Sequence, residues 1–317
     1  MKRKKILIFA LALALLFALA APAAAEQGGA EEIRIAFLDS GISLKHLDPD
    51  RVAEGENFVF PERGTDDRVG HGTATAGVVL GSAELGISGV CPEAVAVPLV
   101  CYDVYPSGVS APGGPEVLAA AIYAAVDRYD CRIINISMGT TEDSDTLREA
   151  VAYAESKDAV VVSAVGNDHR SAPERVFYPA SYATVIGVGA ADGEAAAAFS
   201  QRHGVDVLAP GAALETVTNR NVAASRTRSG TSFACAYVSG LCAALLLKNP
   251  ALSAAELRER LFASAADLGA PGYDADTGWG LVALADAAPE PEPLADALAC
   301  AAALARFFGA VLLAPML

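Results

Sequence analysis

The sequence predicts an α/β fold: a doubly wound, mainly parallel sheet with helices on both faces. Three observations carry this. Strand-length runs such as Ile33 to Leu38 and Ala159 to Val165 are nearly all apolar rather than alternating, as in strands buried on both faces. Helix-length segments, Glu116 to Tyr129 and Asp145 to Lys157, stand between them, and strand–helix alternation marks a parallel sheet. A polar residue, Asp39, closes the first run, where open α/β sheets place their ligands.

The chain has 317 residues, 53% hydrophobic and 19% charged, enough apolar material for one large domain or two small ones. Its net charge of −15 argues against nucleic acid as a partner, because phosphate binding needs basic surface. Residues 1–25 read as a secretory signal peptide. Met1 to Lys5 is basic, Ile6 to Ala20 is apolar, and Ala23-Ala24-Ala25 offers a cleavage site. An uncleaved anchor helix is the rival reading. The domain then expected is 26–288.

Ile33 to Leu38 is the first strand, and Asp39 at its end suits a helix cap, a metal ligand or a catalytic orienter. Gly70-His71-Gly72-Thr73 opens a small-residue helix, Thr73 to Leu80. The flanking glycines leave the imidazole unobstructed. The other histidines, His46, His169 and His203, have no such frame. Val95 to Val100 reads as a strand despite Pro98, whose missing N–H suggests an edge or a strand end. Ser107 to Pro115 reads as a loop. Gly166-Asn167 ends the strand Ala159 to Val165 in a turn.

Gly230-Thr231-Ser232 precedes Phe233 to Leu247, a run without charge that reads as a buried helix. Ser232 at its mouth is either an N-cap or a nucleophile whose oxyanion meets the helix's positive end. Ser253 to Ala263 is an amphipathic helix capped by Ser253, and Thr277 to Gly280 a turn.

Three segments resemble the subtilisin-like serine proteases (subtilases) in that family's order. They are Ile35-Ala36-Phe37-Leu38-Asp39-Ser40-Gly41-Ile42, Asp67-x-x-Gly70-His71-Gly72-Thr73, and Gly230-Thr231-Ser232-x-Ala234-x-x-x-Val238-x-Gly240. The resemblance spans roughly Ile33 to Ala288. It implies a subtilisin-like fold and peptide-bond hydrolysis, with Ser232 as nucleophile, His71 as general base and acid, and Asp39 as its orienter. It further implies Asn167 as an oxyanion donor, with Ser137-Met138-Gly139 and Asp168 lining the specificity pocket and Ser107 to Pro115 pairing with extended substrate. The partner implied is a protein or peptide. No cofactor or metal is required for this chemistry. Family members often hold calcium in a loop after the histidine helix. Here Gly81 to Gly86 offers a single carboxylate, Glu84, so structural calcium is not evident. Secreted bacterial members carry an inhibitory pro-domain after the signal. Here seven residues, Glu26 to Glu32, fill that interval, so the expectation is folding without one or with one supplied by another chain. The alternative to an enzyme is a catalytically silent binding module on the same fold. A lipase-type hydrolase would need Gly-x-Ser-x-Gly and the order Ser, Asp, His, and the sequence has neither.

Pro289 to Pro293, at 289–293, is an acidic, stiff linker. The tail 294–317 is apolar except for Asp296 and Arg306. As a helix it would span roughly 36 Å, enough for a bilayer core, but Arg306 costs about 2.5–3.5 kcal/mol near the middle. It is read as a membrane anchor or as a helix packed on protein. The expected location is extracytoplasmic, secreted or anchored at the cell surface.

Six cysteines invite a disulfide framework, but their spacing resists it. Cys91 and Cys101 flank a strand, about 33 Å apart if fully extended. Cys235 and Cys242 lie about 10 Å apart along one helix. Most are expected to be buried thiols, with no zinc spacing among them.

Overall fold

A computed structural model describes residues 32–219 and 227–283. The signal segment 1–25, the linker 289–293, the tail 294–317 and Cys300 lie outside the described residues.

The eight-stranded sheet contains β1 (Arg34–Asp39), β2 (Glu56–Asn57), β3 (Val95–Val100), β4 (Ile133–Ile136), β5 (Val160–Ala164), β6 (Ile186–Asp192), β7 (Ala195–Ala196) and β8 (Val207–Pro210). The order is β7-β6-β5-β4-β1-β3-β2, and β8 pairs with β6. Every pairing is parallel except that of β6 with β7. The helices are α1 (His71–Leu80), α2 (Gly114–Asp127), α3 (Asp145–Ser156), α4 (Thr231–Lys248) and α5 (Ala254–Ala263).

Alternation along β1 builds two cores at once. Ile33, Ile35 and Phe37 pack with α1, α4 and α5 on one face. Ala36 and Leu38 pack with α2 and α3 on the other. Both faces being apolar is why the strand runs read as continuous rather than alternating. Each aliphatic side chain so buried contributes roughly 1.5–3 kcal/mol. By length and composition α4 could cross a membrane, yet it is the core helix, with Val238, Leu241 and Leu246 wholly buried.

Pro98 has a physical place in β3. Val95 and Cys101 donate to Ile33 and Asp39 on the β1 side. Alternation therefore turns the Pro98 nitrogen the other way, toward the two-residue β2. Its missing donor falls between the Ala53 N–H to Ala96 carbonyl bond and the Phe58 N–H to Val100 carbonyl bond. The stretch 107–115 departs from the loop expected. Ser110–Pro112 folds back on Tyr102–Val104 as an antiparallel hairpin, and α2 starts two residues early, at Gly114. The Ser253 cap is present as a capping box with Glu256. Cys91, Cys101, Cys131, Cys235 and Cys242 are all buried free thiols. Burial pushes Cys91 up to about 11 and Cys242 up to about 12, which keeps them protonated and unreactive at neutral pH.

Candidate active site

Asp39 stands at the carboxyl end of β1 and is 1% exposed. Its Oδ1 accepts from the Ser40 N–H at 2.7 Å and lies 2.7 Å from His71 Nδ1. Its Oδ2 accepts from the Thr75 hydroxyl at 3.1 Å. Three donors stabilise a carboxylate that would otherwise be costly to bury. Because an ionised carboxylate only accepts, Nδ1 carries the imidazole proton and Nε2 is left as an acceptor.

His71 is the first residue of α1, preceded by Gly70 in the left-handed region at φ 93°. Gly72 brings the helix against β1. A Cβ there would meet the Gly41 carbonyl oxygen at 2.2 Å and the Asp39 Cβ at 3.2 Å. A second buried carboxylate, Asp67, braces this turn. It accepts from the Ser40 hydroxyl, the Val69 and Gly70 N–H groups, and both the N–H and hydroxyl of Thr73, at 2.6–2.9 Å. Burial presses the His71 pKa down, but the Asp39 charge and hydrogen bond, helped by Asp67, outweigh burial and the opposing Arg228 charge. The imidazole titrates above its ordinary 6.5.

Ser232 is the second residue of α4 and is not its cap. Gly230 holds that position with no side-chain hydrogen bond. The Ser232 hydroxyl instead donates to the Ser137 carbonyl at 3.0 Å, and the Ser137 hydroxyl donates back to the Ser232 carbonyl at 2.9 Å. Beneath them, buried Asn135 donates to the Ser137 hydroxyl and accepts from the Ser239 hydroxyl and the Cys235 thiol. This network fixes the register of α4 on β4. The His71 ring lies against Phe233, centroids 5.8 Å apart, so the imidazole sits beside the start of α4.

Asn167 follows β5, and its Oδ1 accepts from the N–H of Thr231 at 2.9 Å and its hydroxyl at 3.2 Å. A backbone N–H can only donate, so the facing atom is the amide oxygen and the Nδ2 donor points elsewhere. Asn167, Asp168, Ser232, Ser137, Met138 and Gly139 share one cleft of about 230 Å³. Asp39 and His71 line another, of about 270 Å³. Ser137 and Met138 border both, so the two clefts join along one groove. A larger cavity of about 470 Å³, beside Asp48 and the Gly81–Ser88 hairpin, holds none of these residues. Among the described residues, no group of three or more His, Cys, Asp or Glu side chains is arranged to hold a metal ion.

Every site residue singled out in the sequence therefore lies on this groove. Sequence reasoning missed the residues that brace it: Ser40, Asp67, Thr75 and Asn135. Asp67 carried one signal, its place four residues before His71 in a segment already quoted. Ser40 carried the same kind of signal, standing beside Asp39 in another quoted segment, whereas Thr75 and Asn135 bond partners remote in sequence and carried none.

A buried carboxylate on an imidazole, a serine in the first turn of a buried helix and an amide side chain bonded to the start of that helix thus stand at the carboxyl end of a doubly wound sheet. Residues 30–280 match the model of the subtilase family, and the chain belongs to that family of subtilisin-like serine proteases. Subtilisin Savinase of Lederbergia lenta is 35% identical over 78% of this chain and 89% of its own length. M-protease of Shouchella clausii is also 35% identical over 78% of this chain, but the match spans only 63% of that protein. Among solved structures, fervidolysin from Fervidobacterium pennivorans, described as keratinolytic and related to subtilisin, matches with a TM-score of 0.72 and 31% identity, over 82% of this chain and 43% of that one. Sphericase matches at 0.68 and 29%, over 80% of this chain and 91% of its own.

Proposed function

We propose that the protein is an extracytoplasmic serine endopeptidase that hydrolyses protein or peptide substrates through Asp39, His71 and Ser232. The observation that carries this is the buried Asp39 carboxylate 2.7 Å from His71 Nδ1, which leaves Nε2 free to take a proton. In the reaction the Ser232 hydroxyl turns from the Ser137 carbonyl toward Nε2. Oγ attacks the peptide carbonyl carbon while its proton passes to Nε2. The oxyanion accepts from Asn167 Nδ2 and from the Ser232 N–H, which lies in the first helical turn, where N–H groups have no intrahelical acceptor. His71 then gives the proton to the leaving amine, and the acyl-enzyme forms as the C–N bond breaks. Water, deprotonated by His71, releases the acid and restores Ser232. Asp39 stays ionised and offsets the imidazolium charge. No step calls on a cofactor.

The test is digestion of a denatured protein by the mature chain, 26–317. Soluble peptides should appear, and a fluorophosphonate should stop their release. A folded chain that neither cleaves nor reacts is the silent binding module instead.

Only neutral His71 can act as base, so activity should fall as pH drops through its pKa. Because that pKa is raised, the acid limb of kcat/KM should have its midpoint above 6.5. A profile taken from about pH 5 to 9 with its midpoint at or below that value would contradict the electrostatics described.

We further propose that 1–25 directs export and that the tail beyond the 289–293 linker sets location rather than chemistry, since Asp39, His71, Asn167 and Ser232 all precede it in the sequence. Deleting 289–317 should leave peptidase activity near normal. If the tail is an anchor, the deletion should also shift the protein from the membrane pellet to the soluble fraction. A truncated protein that folds but loses activity would refute the separation.

A further inference from the structure

A buried carboxylate outside the catalytic set has no part in the chemistry above. Asp103 lies on the first strand of the 102–112 hairpin, and its side chain is 2% exposed. We propose that Asp103 is a positioning residue: with Arg63 and Arg68 it clamps this hairpin to the segment leading into the His71 turn, and so sets the width of the groove beside the imidazole. The proposal rests on the roles given to His71 and Ser232.

The carboxylate is gripped from one segment, 57–68. Its Oδ2 accepts from Asn57 Nδ2 at 3.3 Å and lies 3.7 and 3.6 Å from the guanidinium nitrogens of Arg63 and Arg68. Its Oδ1 accepts from the Val104 N–H at 2.7 Å. A carboxylate this buried needs such partners, because burial disfavours its charge. The partners are themselves fixed. Arg63 donates to the Val104 carbonyl at 2.7 Å, and its guanidinium lies over the Phe60 ring, 3.8 Å from the centroid. Arg68 donates to the Arg63 carbonyl at 3.1 Å, and Asn57 to the Gly64 carbonyl at 3.0 Å. Phe60 in turn meets Tyr105 of the hairpin edge-on, with centroids 5.3 Å apart.

Each end of the clamp is one residue from a wall of the groove. Tyr102, next to Asp103, and Val69, next to Arg68, line the 270 Å³ cleft with Asp39 and His71. Side chains alternate along a strand, so the Asp103 carboxylate turns inward while Tyr102 lines the cleft. A peptide held with its carbonyl at Ser232 runs along this groove, between Tyr102 and Val69. The Val69 side has its own brace, Asp67 with its five donors. The hairpin has less to hold it, because its two three-residue strands form a small sheet of their own. Loss of the Asp103 charge should therefore move Tyr102 rather than His71.

The test compares two substrates on the mature chain and its Asp103→Asn variant, which keeps the volume and removes the charge. One is an internally quenched peptide of about eight residues, about 27 Å when extended, which reaches along the groove. The other is p-nitrophenyl acetate, which needs only the reacting groups. Asp103→Asn should raise KM for the peptide about tenfold or more, within the roughly 10²-fold that an ångström of misplacement can cost. Ester hydrolysis and fluorophosphonate labelling of Ser232 should stay near wild type. Arg68→Gln leaves Arg63 and Asn57 on the carboxylate, so it should shift the same KM less, and it carries the test if the Asn variant does not fold. The two changes combined should be no worse than Asp103→Asn alone, because the charge that Arg68 faces is already gone. An unchanged KM in variants that fold and label overturns the proposal. So does an equal loss on peptide and ester, which would place the effect on His71 or on the fold as a whole. Absence of labelling in the wild type itself means that the nucleophile assignment has failed, and the clamp's role in the reaction falls with it.

Discussion

Ser232→Ala and His71→Ala should each lower turnover by about 10⁶-fold, the scale known for the corresponding losses in a subtilisin, a relative of this chain. That is roughly 8 kcal/mol of transition-state stabilisation. The two losses should not add. Oγ is a poor nucleophile without a base, and the base has nothing to activate without Oγ, so the double variant should be no worse than either single one. Folding should survive in both. Among the described residues Ser232 gives one side-chain hydrogen bond, to the Ser137 carbonyl, and His71 is about one-third exposed at its side chain. The measurement is kcat with a chromogenic peptide, beside a circular dichroism spectrum. Retained turnover in either folded variant would remove that residue from the mechanism.

Asn167→Ala should lower kcat by roughly 10²–10³-fold with KM little changed, the range found on removing such a donor in a subtilisin. The asymmetry follows from when the bond is made. Nδ2 meets an oxygen that carries full negative charge only in the tetrahedral state, so its loss raises the barrier without weakening substrate binding. This variant also tests the amide's second role, since Oδ1 holds the Thr231 N–H and hydroxyl at the start of α4. Asn167→Asp separates the two. It keeps the acceptor for Thr231 and removes the donor, so it should be at least as slow as the Ala variant. An Asp variant that works normally would assign Asn167 to holding α4 alone.

Much of the fold was legible because its strands are buried on both faces. Ile33 to Leu38 and Ala159 to Val165 are apolar except for Arg34 and Ser163, and runs that short suit strands buried on both faces. The residues that meet in the groove were legible because glycines frame them, and glycine carries its backbone requirement in the sequence itself. Gly70, at φ 93°, is an example. What stayed hidden depends on three-dimensional neighbours. From its local segment alone Ser232 suits a cap as well as a nucleophile, and only the structure shows Gly230 in the cap position. Asp67 looks like one more acidic loop residue until five donors converge on it. The 102–112 hairpin has no alternating pattern because Pro106, Ser107 and Gly108 break it.

The mapping of a covalent adduct tests the central claim most directly. The mature protein is treated with a fluorophosphonate, digested with a second protease, and the modified peptide is sequenced by mass spectrometry. The predicted result is one adduct, on Ser232, whose rate of formation collapses in His71→Ala and follows the acid limb of the pH profile. An adduct on any other serine, or one on Ser232 that forms equally fast without His71, would contradict the account.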